Sequence, residues 1–396
     1  MQRPRVLLAV AAVAAVLVVV AAAVYLPSYL ERGTPVSGRP CGVAGGPSLS
    51  VSDLTATLPA SFAHGSIQAF GSNSTAVVFG GVSYYDRGHL PYDSEPALSS
   101  YTPATSSTED LTNETSTSFG GGGVFPVGWN GSAWLMAGQS TIGNVTEGSA
   151  ASWESGRFTD LTPVVGPYFE DQGIWIAGWD GHGWLLGGNN TQGAVLVYLQ
   201  GDTVTNLTSL LPDNGPTRWI QALAWNGTGW LVGGQGIFGS FEDGRYTNLL
   251  PASPFASGAA LAMDWNGTAW LVGGSPTGLA YVRGGVVSAA PALAVGGDGW
   301  VNSVVAVPGK AWIVSGGSFA AGRYAPFLAS VPMAAGPVVP VDESACLPSG
   351  FADGWVQYGA WAPAFGTGAI LLVGEGGTDP QTFESHAAAA VLSVGT

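Results

Sequence analysis

The sequence has little charge and very few cations. Only 9% of its 396 residues are charged, the net charge is −15, and Lys310 is the sole lysine. A chain with so few basic side chains is poorly equipped to bind phosphates, which argues against nucleic-acid binding. Glycine (61) and proline (26) are abundant instead. The chain therefore cannot be mostly helical, and it is too rich in apolar and aromatic residues to be disordered.

Cysteine and histidine are also scarce, and recognisable catalytic motifs are missing. Cys41 and Cys346 are the only cysteines, and we expect them to form a disulfide in an oxidising compartment, which leaves no thiol nucleophile. The four histidines lie far apart without a metal-binding spacing, and there is no G-x-S-x-G elbow. Nothing in the sequence favours an enzyme over a binding protein, and no cofactor is predicted.

A long apolar segment follows the first five residues. Residues 6–26 are 21 consecutive residues without a charge, and about 20 apolar residues suffice to span a membrane as a helix. Two arginines precede the segment, so the positive-inside rule places the N-terminus in the cytoplasm. We therefore predict a cytoplasmic tail (1–5), a transmembrane helix (6–26), a linker (27–46) and an extracellular domain (47–396). A cleaved signal peptide is the alternative, although its apolar region is usually only about 7–15 residues long.

Potential N-glycosylation sites agree with an extracellular domain. Eight N-x-S/T sequons occur, at Asn73, Asn113, Asn130, Asn144, Asn189, Asn206, Asn226 and Asn266. Several of them are also good turn sequences, which is the alternative interpretation.

One ten-residue phrase recurs along the chain. Residues 225–234 are WNGTGWLVGG and residues 265–274 are WNGTAWLVGG, and related phrases occupy 129–138 and 179–188. More divergent copies end at Gly81, Gly317 and Gly374. Counted from one final glycine to the next, the copies lie 40 to 57 residues apart. This is about the length of a four-stranded propeller blade.

Each unit can be divided into four strands. In the copy at 220–234, strand a leads through an Asn-Gly turn into the apolar strand b, and a second hairpin supplies strands c and d. Residues 47–59 resemble the d strands but precede the first unit, whereas the last unit ends with a c strand at 387–394. The sequence thus predicts an all-β fold, a seven-bladed β-propeller of four-stranded antiparallel blades closed by the N-terminal strand. A Cys41–Cys346 bridge would fasten the closing segment.

The Gly-Gly pair that ends the apolar strand resembles the repeat of kelch-type propellers. It occurs in VVFGG, WLLGG, WLVGG and WIVSGG, and the resemblance covers roughly residues 47–396. Two copies break the pair, at Ala137-Gly138 and Gly374-Glu375, so we describe the chain as kelch-like. We interpret the repeated phrase as scaffold, namely a turn flanked by tryptophans that pack between neighbouring blades.

Function is expected in the loops, which do not repeat. The d–a and b–c connections of a propeller blade emerge on one face, and the longest b–c loop spans residues 82–96. Its candidate ligand-binding residues are Tyr84, Tyr85, Asp86, Arg87, His89, Tyr92 and Asp93. The loop is either a recognition site for a glycan, peptide or cation, or a solvated loop whose tyrosines pack on the neighbouring blade.

Acidic and aromatic residues around glycine recur in the d–a connections of the same face. The candidates there are Glu170, Asp171, Arg218, Asp298 and Asp353. Carboxylates and indoles in a ring could bind a sugar or Ca²⁺. Ordinary turn chemistry is the alternative, because Asp and Gly are turn formers.

These features predict a single-pass membrane protein with an extracellular propeller. Its expected role is a monomeric cell-surface binding, adhesion or envelope module for a glycan or protein ligand. The alternative is a surface polysaccharide hydrolase or lyase that uses loop carboxylates. An enzyme should bring acidic side chains with shifted pKa values together near the central funnel, whereas a binding protein should show a broader aromatic and polar surface.

Overall fold

The computed structural model describes residues 49–84, 94–142, 145–212, 215–276, 278–293, 298–333, 339–377 and 385–394. The predicted transmembrane segment 6–26, the linker 27–46 and Cys41 lie outside the described residues. In the described part of the chain, no helix is long and apolar enough to cross a membrane.

Antiparallel strands dominate the described chain. The strands of the first half are β1 (Leu49–Asp53), β2 (Gly65–Ser72), β3 (Val77–Tyr84), β4 (Ser94–Thr102), β5 (Ser107–Asp110), β6 (Gly123–Trp129), β7 (Trp134–Ile142), β8 (Val145–Glu154), β9 (Arg157–Asp160), β10 (Ile174–Trp179), β11 (Trp184–Asn190), β12 (Gly193–Gln200) and β13 (Thr203–Asn206). Those of the second half are β14 (Trp219–Trp225), β15 (Trp230–Gln235), β16 (Ile237–Glu242), β17 (Arg245–Asn248), β18 (Ala259–Trp265), β19 (Trp270–Ser275), β20 (Gly278–Arg283), β21 (Val286–Ala289), β22 (Asp298–Val307), β23 (Ala311–Ala320), β24 (Arg323–Pro332), β25 (Val341–Asp342), β26 (Trp355–Trp361), β27 (Ala369–Gly376) and β28 (His386–Val394).

Short helices occupy several connections, and the sequence analysis did not predict them. The α-helices are α1 (Thr112–Phe119) and α2 (Thr162–Val165). The 3₁₀ helices are Thr55–Thr57, Ala60–Phe62, Gly166–Tyr168, Thr208–Leu210, Leu250–Ala252, Ser344–Cys346, Ser349–Phe351 and Pro363–Phe365.

The strands pair in units of four. Four sheets each follow chain order, namely β2–β5, β6–β9, β10–β13 and β22–β25. The units β14–β17 and β18–β21 join into one eight-stranded sheet through the pairing of Gln235 with Ala259. The remaining sheet has the order β1-β28-β27-β26 and thus combines the two ends of the described chain. We call the leading strand of each unit its first strand; these are β2, β6, β10, β14, β18, β22 and β26.

A repeated Asp/Asn-Leu-Thr sequence explains how β1 joins the last sheet. Leu49 lies opposite Val394 and Asp53 opposite Ala390. The Asp53 carboxylate accepts a hydrogen bond from the Thr55 N–H (2.8 Å), and the Thr55 hydroxyl bonds to the Ala389 backbone at 3.3 and 3.4 Å. The same hydroxyl-to-backbone contact joins Thr112 to Leu98, Thr162 to Ala150, Thr208 to Leu196 and Ser344 to Leu328.

The repeated ten-residue phrase is scaffold, as predicted. Trp225 and Trp230 flank the turn, face each other across the hairpin and have ring centroids 5.1 Å apart. Trp230 is only 4% exposed and packs against Gly178 of the preceding unit, where no larger residue would fit. In the turn, the Asn226 Oδ1 accepts hydrogen bonds from the backbone N–H groups of Thr228 (2.9 Å) and Gly229 (2.8 Å). The phrase thus closes a hairpin and also joins neighbouring units.

Steric contacts explain why the repeated ten-residue motif ends in glycine. Each first strand contains a β-bulge near its start, which brings its backbone close to the neighbouring strand. A Cβ on the glycine opposite the bulge would collide with a carbonyl oxygen, for example Gly234 with that of Trp219. Each unit has one such glycine opposite its bulge: Gly81, Gly138, Gly188, Gly234, Gly274, Gly316 and Gly374.

One alignment of the sequence analysis was therefore wrong by one residue. Gly316, and not Gly317, lies opposite the bulge in the β22–β23 pair, with Val301 as its partner. The residue before the required glycine differs between units and is Ala137, Ser315 or Val373 in three of them. Where it is glycine, as at Gly187 and Gly273, a Cβ would collide with side chains of the next unit, so the second glycine is a requirement of particular units and the glycine opposite the bulge is the constant feature.

Candidate functional site

A cavity of about 510 Å³ is lined by residues of all the first strands. These strands contact one another in chain order, and β26 also contacts β2. Four-stranded units arranged with their first strands around a cavity make this fold a β-propeller. The volume falls within the range of about 300–1,000 Å³ that is usual for ligand pockets.

The β-bulges place one set of side chains in this cavity. In each first strand a fully buried apolar residue precedes the bulge, for example Ile220, and the bulged residue that follows it lines the cavity and is half-buried. The bulged residues are Gln68, Phe125 with Pro126, Trp175, Gln221, Leu261, Asn302 and Gln357. We call this set the bulge ring. It contains amides, aromatics and aliphatic groups but no ionisable side chain.

The bulge ring has a polar side and an aromatic side. β22, β26 and β2 are neighbours, and they supply the amides Asn302, Gln357 and Gln68. β6 and β10 follow β2 in the ring and supply Phe125 and Trp175, whose ring centroids are 4.6 Å apart. The fourth amide, Gln221, lies on the next strand, β14. A ligand in the cavity would meet three neighbouring amides and, next to them, two flat aromatic surfaces.

Several ring side chains are held in place by hydrogen bonds. The Trp175 indole N–H donates to Asn189 Oδ1 at 2.7 Å, and Gln68 Nε2 donates to Ser66 Oγ at 2.5 Å. The Trp355 indole N–H donates to Gln357 Oε1 at 2.9 Å. Such contacts fix rotamers before a ligand binds and so reduce the entropy cost of binding.

An aromatic cluster adjoins the polar side of the ring. It consists of Trp300, Phe319, Tyr324 and Trp355, with centroid distances of 4.8 to 6.3 Å. Trp300 and Trp355 precede the ring residues Asn302 and Gln357 by two positions. All four aromatics are partly exposed, and Phe319 keeps 36% of its surface accessible.

Asp264 is the one carboxylate among the described residues that line the cavity. Its Oδ2 accepts the Ala306 N–H of the next unit at 2.8 Å, and its Oδ1 accepts the Trp265 N–H at 2.7 Å. Burial raises the pKa of Asp264 and outweighs these two hydrogen bonds, which lower it. Burial, together with the nearby Asp264 charge, raises the pKa of Tyr358 to about 12.

The predicted recognition loop lies largely outside the described residues. Tyr85, Asp86, Arg87, His89, Tyr92 and Asp93 are not described, and of Tyr84 only the backbone is, at the end of β3 opposite Ser94. The loop stays a prediction.

The candidate ligand-binding residues of the d–a connections lie on the surface, at the start of a first strand or just before it. Glu170, Asp171, Asp298 and Asp353 are exposed, and Arg218 is half-buried with its Nη1 donating to the Gly236 carbonyl at 2.8 Å. Asp171 and Asp353 have positive φ values of 60° and 53°, a conformation that Asp tolerates in turns. In the part of the chain that the structure describes, no three His, Cys, Asp or Glu residues are placed to hold a metal. The geometry of these two aspartates agrees with turn chemistry, and the Ca²⁺ hypothesis stays untested.

The sequons divide into different environments. Asn73, Asn130, Asn226 and Asn266 all cap a–b turns, as described for Asn226. Asn113 and Asn206 are exposed, whereas Asn189 is only 8% exposed and accepts the Trp175 hydrogen bond. The prediction of a glycan at Asn189 conflicts with this burial. Asn144 lies outside the described residues.

The predicted disulfide involves one described residue. Cys346 is not a free thiol, and its expected partner, Cys41, is outside the described range. The pairing therefore stays a prediction.

The bulge ring escaped the sequence analysis, although a signal was present. Three of its four amides occur in WIQ (219–221), WVN (300–302) and WVQ (355–357), and the fourth in SIQ (66–68). An amide after a buried branched residue at the start of a unit was the repeated element. The loop residues, which do not repeat, were predicted as the site instead.

Comparison with known proteins gives little further guidance. No known family model matches the sequence. No curated protein matches it either. Among solved structures, Sqt1 of Chaetomium thermophilum bound to the N-terminus of ribosomal protein L10 is similar over 78% of this chain and 84% of that one, with 13% identity and a TM-score of 0.49. The computationally designed Ika8 protein is similar over 82% and 96% of the two chains, with 11% identity and a TM-score of 0.46. Both TM-scores are below 0.5, so the propeller assignment depends on the strand pairing of the chain itself.

Proposed function

We propose that the protein is a membrane-anchored, extracellular binding module that receives its ligand in the central cavity of the propeller. The observation that carries this proposal is the bulge ring. The bulges of the seven first strands each place one residue, or two in β6, in the same cavity, and none of these side chains is ionisable. Amides and aromatics can bind and orient a ligand, but they are poor acids, bases and nucleophiles.

The proposed architecture is a kelch-like propeller of seven blades, closed by the N-terminal strand. The pairing of β1 with β28 and the contact of β26 with β2 support the closure.

We further propose the Cys41–Cys346 bridge, the transmembrane helix at 6–26, glycosylation at exposed sequons and a monomeric state. Mass spectrometry of the unreduced chain, before and after deglycosylation, tests the bridge and the glycans.

A polysaccharide hydrolase or lyase is the competing function. The sequence analysis assigned its chemistry to loop carboxylates. A hydrolase that acts in the cavity would instead need a second carboxylate near Asp264, because glycosidases usually act through a pair of carboxyl groups. Among the described lining residues Asp264 has no such companion, and both its oxygens accept backbone hydrogen bonds. This arrangement is typical of a structural carboxylate and therefore favours the binding function.

A binding screen with cavity and loop variants tests the proposal. The full chain, in a detergent without a sugar headgroup, is screened against a glycan array and a peptide array. We expect binding that Trp175→Ala abolishes and the triple alanine variant of Tyr84, Tyr85 and Asp86 leaves intact. Binding lost only in the triple variant would move the site to the loop. Release of reducing ends from polysaccharide, abolished by Asp264→Asn, would favour the hydrolase instead.

A further inference from the structure

We infer that the bulge ring and the adjoining aromatic cluster form a binding site for a neutral saccharide. The inference rests on the proposed binding function and specifies the chemical class of the ligand. It begins from the absence of ionisable side chains in the ring; together with the Asp264 carboxylate in the cavity wall, this makes an anionic ligand a poor match. A phosphate, a sulfated glycan or an acidic peptide would lose its hydration without gaining a cation in the ring.

The two sides of the ring match the two kinds of surface of a sugar. Asn302, Gln357 and Gln68 lie on neighbouring strands, and an amide both donates and accepts hydrogen bonds, as a hydroxyl does. The next two strands of the ring, β6 and β10, present Phe125 and Trp175, whose flat faces suit the apolar C–H face of a pyranose. A pyranose carries hydroxyls around its rim and C–H groups on its faces, so it can satisfy both sides at once.

The aromatic cluster extends this surface beyond the ring. Trp300 and Trp355 stand two residues before Asn302 and Gln357, and the Trp355 indole is hydrogen-bonded to Gln357. Further sugar units of a chain could stack on Trp300, Tyr324 and the exposed edge of Phe319. This continuity favours the end of an oligosaccharide over a free monosaccharide.

An extended peptide fits the same surface less well. Its N–H and C=O groups point along two opposite edges, whereas three of the ring amides are grouped on one side. The ring itself also supplies no ionisable side chain for a chain terminus. We therefore treat peptide binding as an outcome of the test.

Calorimetric titration of the full chain with neutral disaccharides tests the inference. The probes are cellobiose, maltose, lactose and chitobiose, together with uncharged hexapeptides, in a detergent without a sugar headgroup. Gln357→Leu and Gln68→Leu remove one amide each at nearly constant size. We expect each to weaken binding about fivefold, the usual effect of one neutral hydrogen bond. Trp175→Ala is expected to weaken it on the order of tenfold or more.

Gln200→Leu is the matched control, because Gln200 is an exposed amide at the end of β12, in the c–d turn. Sugar binding that falls in the ring variants and persists in Gln200→Leu supports the inference. Peptide binding with the same variant pattern would overturn the sugar assignment and leave the cavity as the binding site. If correctly folded protein binds none of these sugars, or if the ring variants do not alter sugar binding, the inference is wrong.

Discussion

The two ends of each first strand differ in how closely their side chains repeat between units, and β14 shows the contrast. At its end, Trp225 leads into a turn whose sequence is almost repeated one unit later, at Trp265. Near its start, Gln221 occupies a ring position that is Trp175 in the preceding unit and Leu261 in the following one. The backbone conformation is equivalent from unit to unit at both ends of the strand. Only at the turn end, however, are the side chains also the same from unit to unit.

The difference follows from what the side chains touch. The turn end packs between units, so each tryptophan must match the glycine or alanine of its neighbour in the same way. The ring end faces a cavity, where the side chain is half-buried and its contacts differ from unit to unit: Phe125 lies against Trp175, whereas Asn302 Nδ2 donates to the Val356 carbonyl. Repetition therefore marks the structural contacts, and variation at an equivalent backbone position marks the candidate site.

The largest expected effect compares a tryptophan from each end. Trp230→Ala removes a side chain that is 4% exposed and joins two units, so we expect a loss of about 3–5 kcal/mol in the free energy of unfolding. Trp175→Ala removes a half-buried ring residue, and we expect a loss of only about 1–2 kcal/mol together with loss of ligand binding. Denaturant unfolding measures both stabilities. Equal stability losses would abolish the distinction between the two ends.

The second prediction concerns the glycine opposite the bulge. Gly234→Ala would force a Cβ against the Trp219 carbonyl oxygen, so the strands must separate at a cost of about 2–3 kcal/mol. Gly215→Ala is the control, because a Cβ there meets no atom within 4 Å, and we expect its stability to be unchanged or up to about 1 kcal/mol higher. Thermal unfolding checks both. A Gly234→Ala variant as stable as the wild type would show that the bulge does not require this glycine.

The scaffold could be predicted from sequence because its causes are local and repeated. The Asn-Gly turn, the paired tryptophans and the Asp/Asn-Leu-Thr sequences each determine a contact that recurs in several units. Even Thr55, from the opposite end of the chain, could be recognised by the same pattern. The misplaced Gly317 shows where such patterns fail, since only strand register identifies Gly316 as the residue opposite the bulge.

The site could not be predicted in the same way. A bulge adds one residue between two ordinary-looking strand positions, and Leu261 carries no sign that it points into a cavity. The repeated amides, Gln68 among them, mark equivalent positions but do not by themselves indicate a cavity. The acidic loop residues attracted attention because charge is rare in this chain. Asp171 and Asp353 instead occupy left-handed turn positions. Rarity of a residue type is thus a weaker guide than the set of positions that the fold brings together.

The third prediction concerns Asp264, the carboxylate at the turn end of its first strand. Its counterparts are glycine or alanine, for example Gly178 and Ala224. Because burial raises its pKa above the usual 3.8, the folded state binds the proton more tightly than the unfolded state does. The contribution of this group to stability is therefore complete below pH 3.8 and is lost as the pH rises through the folded-state pKa.

Comparison with Asp264→Asn isolates this contribution. Asn does not titrate in this range, so the stability difference between wild type and variant should shift in favour of the variant as the pH rises from 3.8. Thermal unfolding across the pH series measures it, and a pH-independent difference would contradict the raised pKa.

The smallest expected effects distinguish the two interpretations of the sequons. Asn226→Ala removes the Oδ1 that accepts two backbone hydrogen bonds in the a–b turn, so we expect a loss of about 1–2 kcal/mol. Asn226→Asp retains that oxygen, and the equivalent turn at Asp180 already uses a carboxylate in the same way, at 2.8 and 2.9 Å. We therefore expect this variant to stay within about 0.5 kcal/mol of the wild type although its sequon is destroyed.

Unfolding measured on the unglycosylated chain gives the turn effect alone, and the intact mass of the protein from a glycosylating host shows whether a glycan is lost. If Asn226→Asp destabilises the unglycosylated chain as much as Asn226→Ala does, the turn oxygen is not what selects asparagine here.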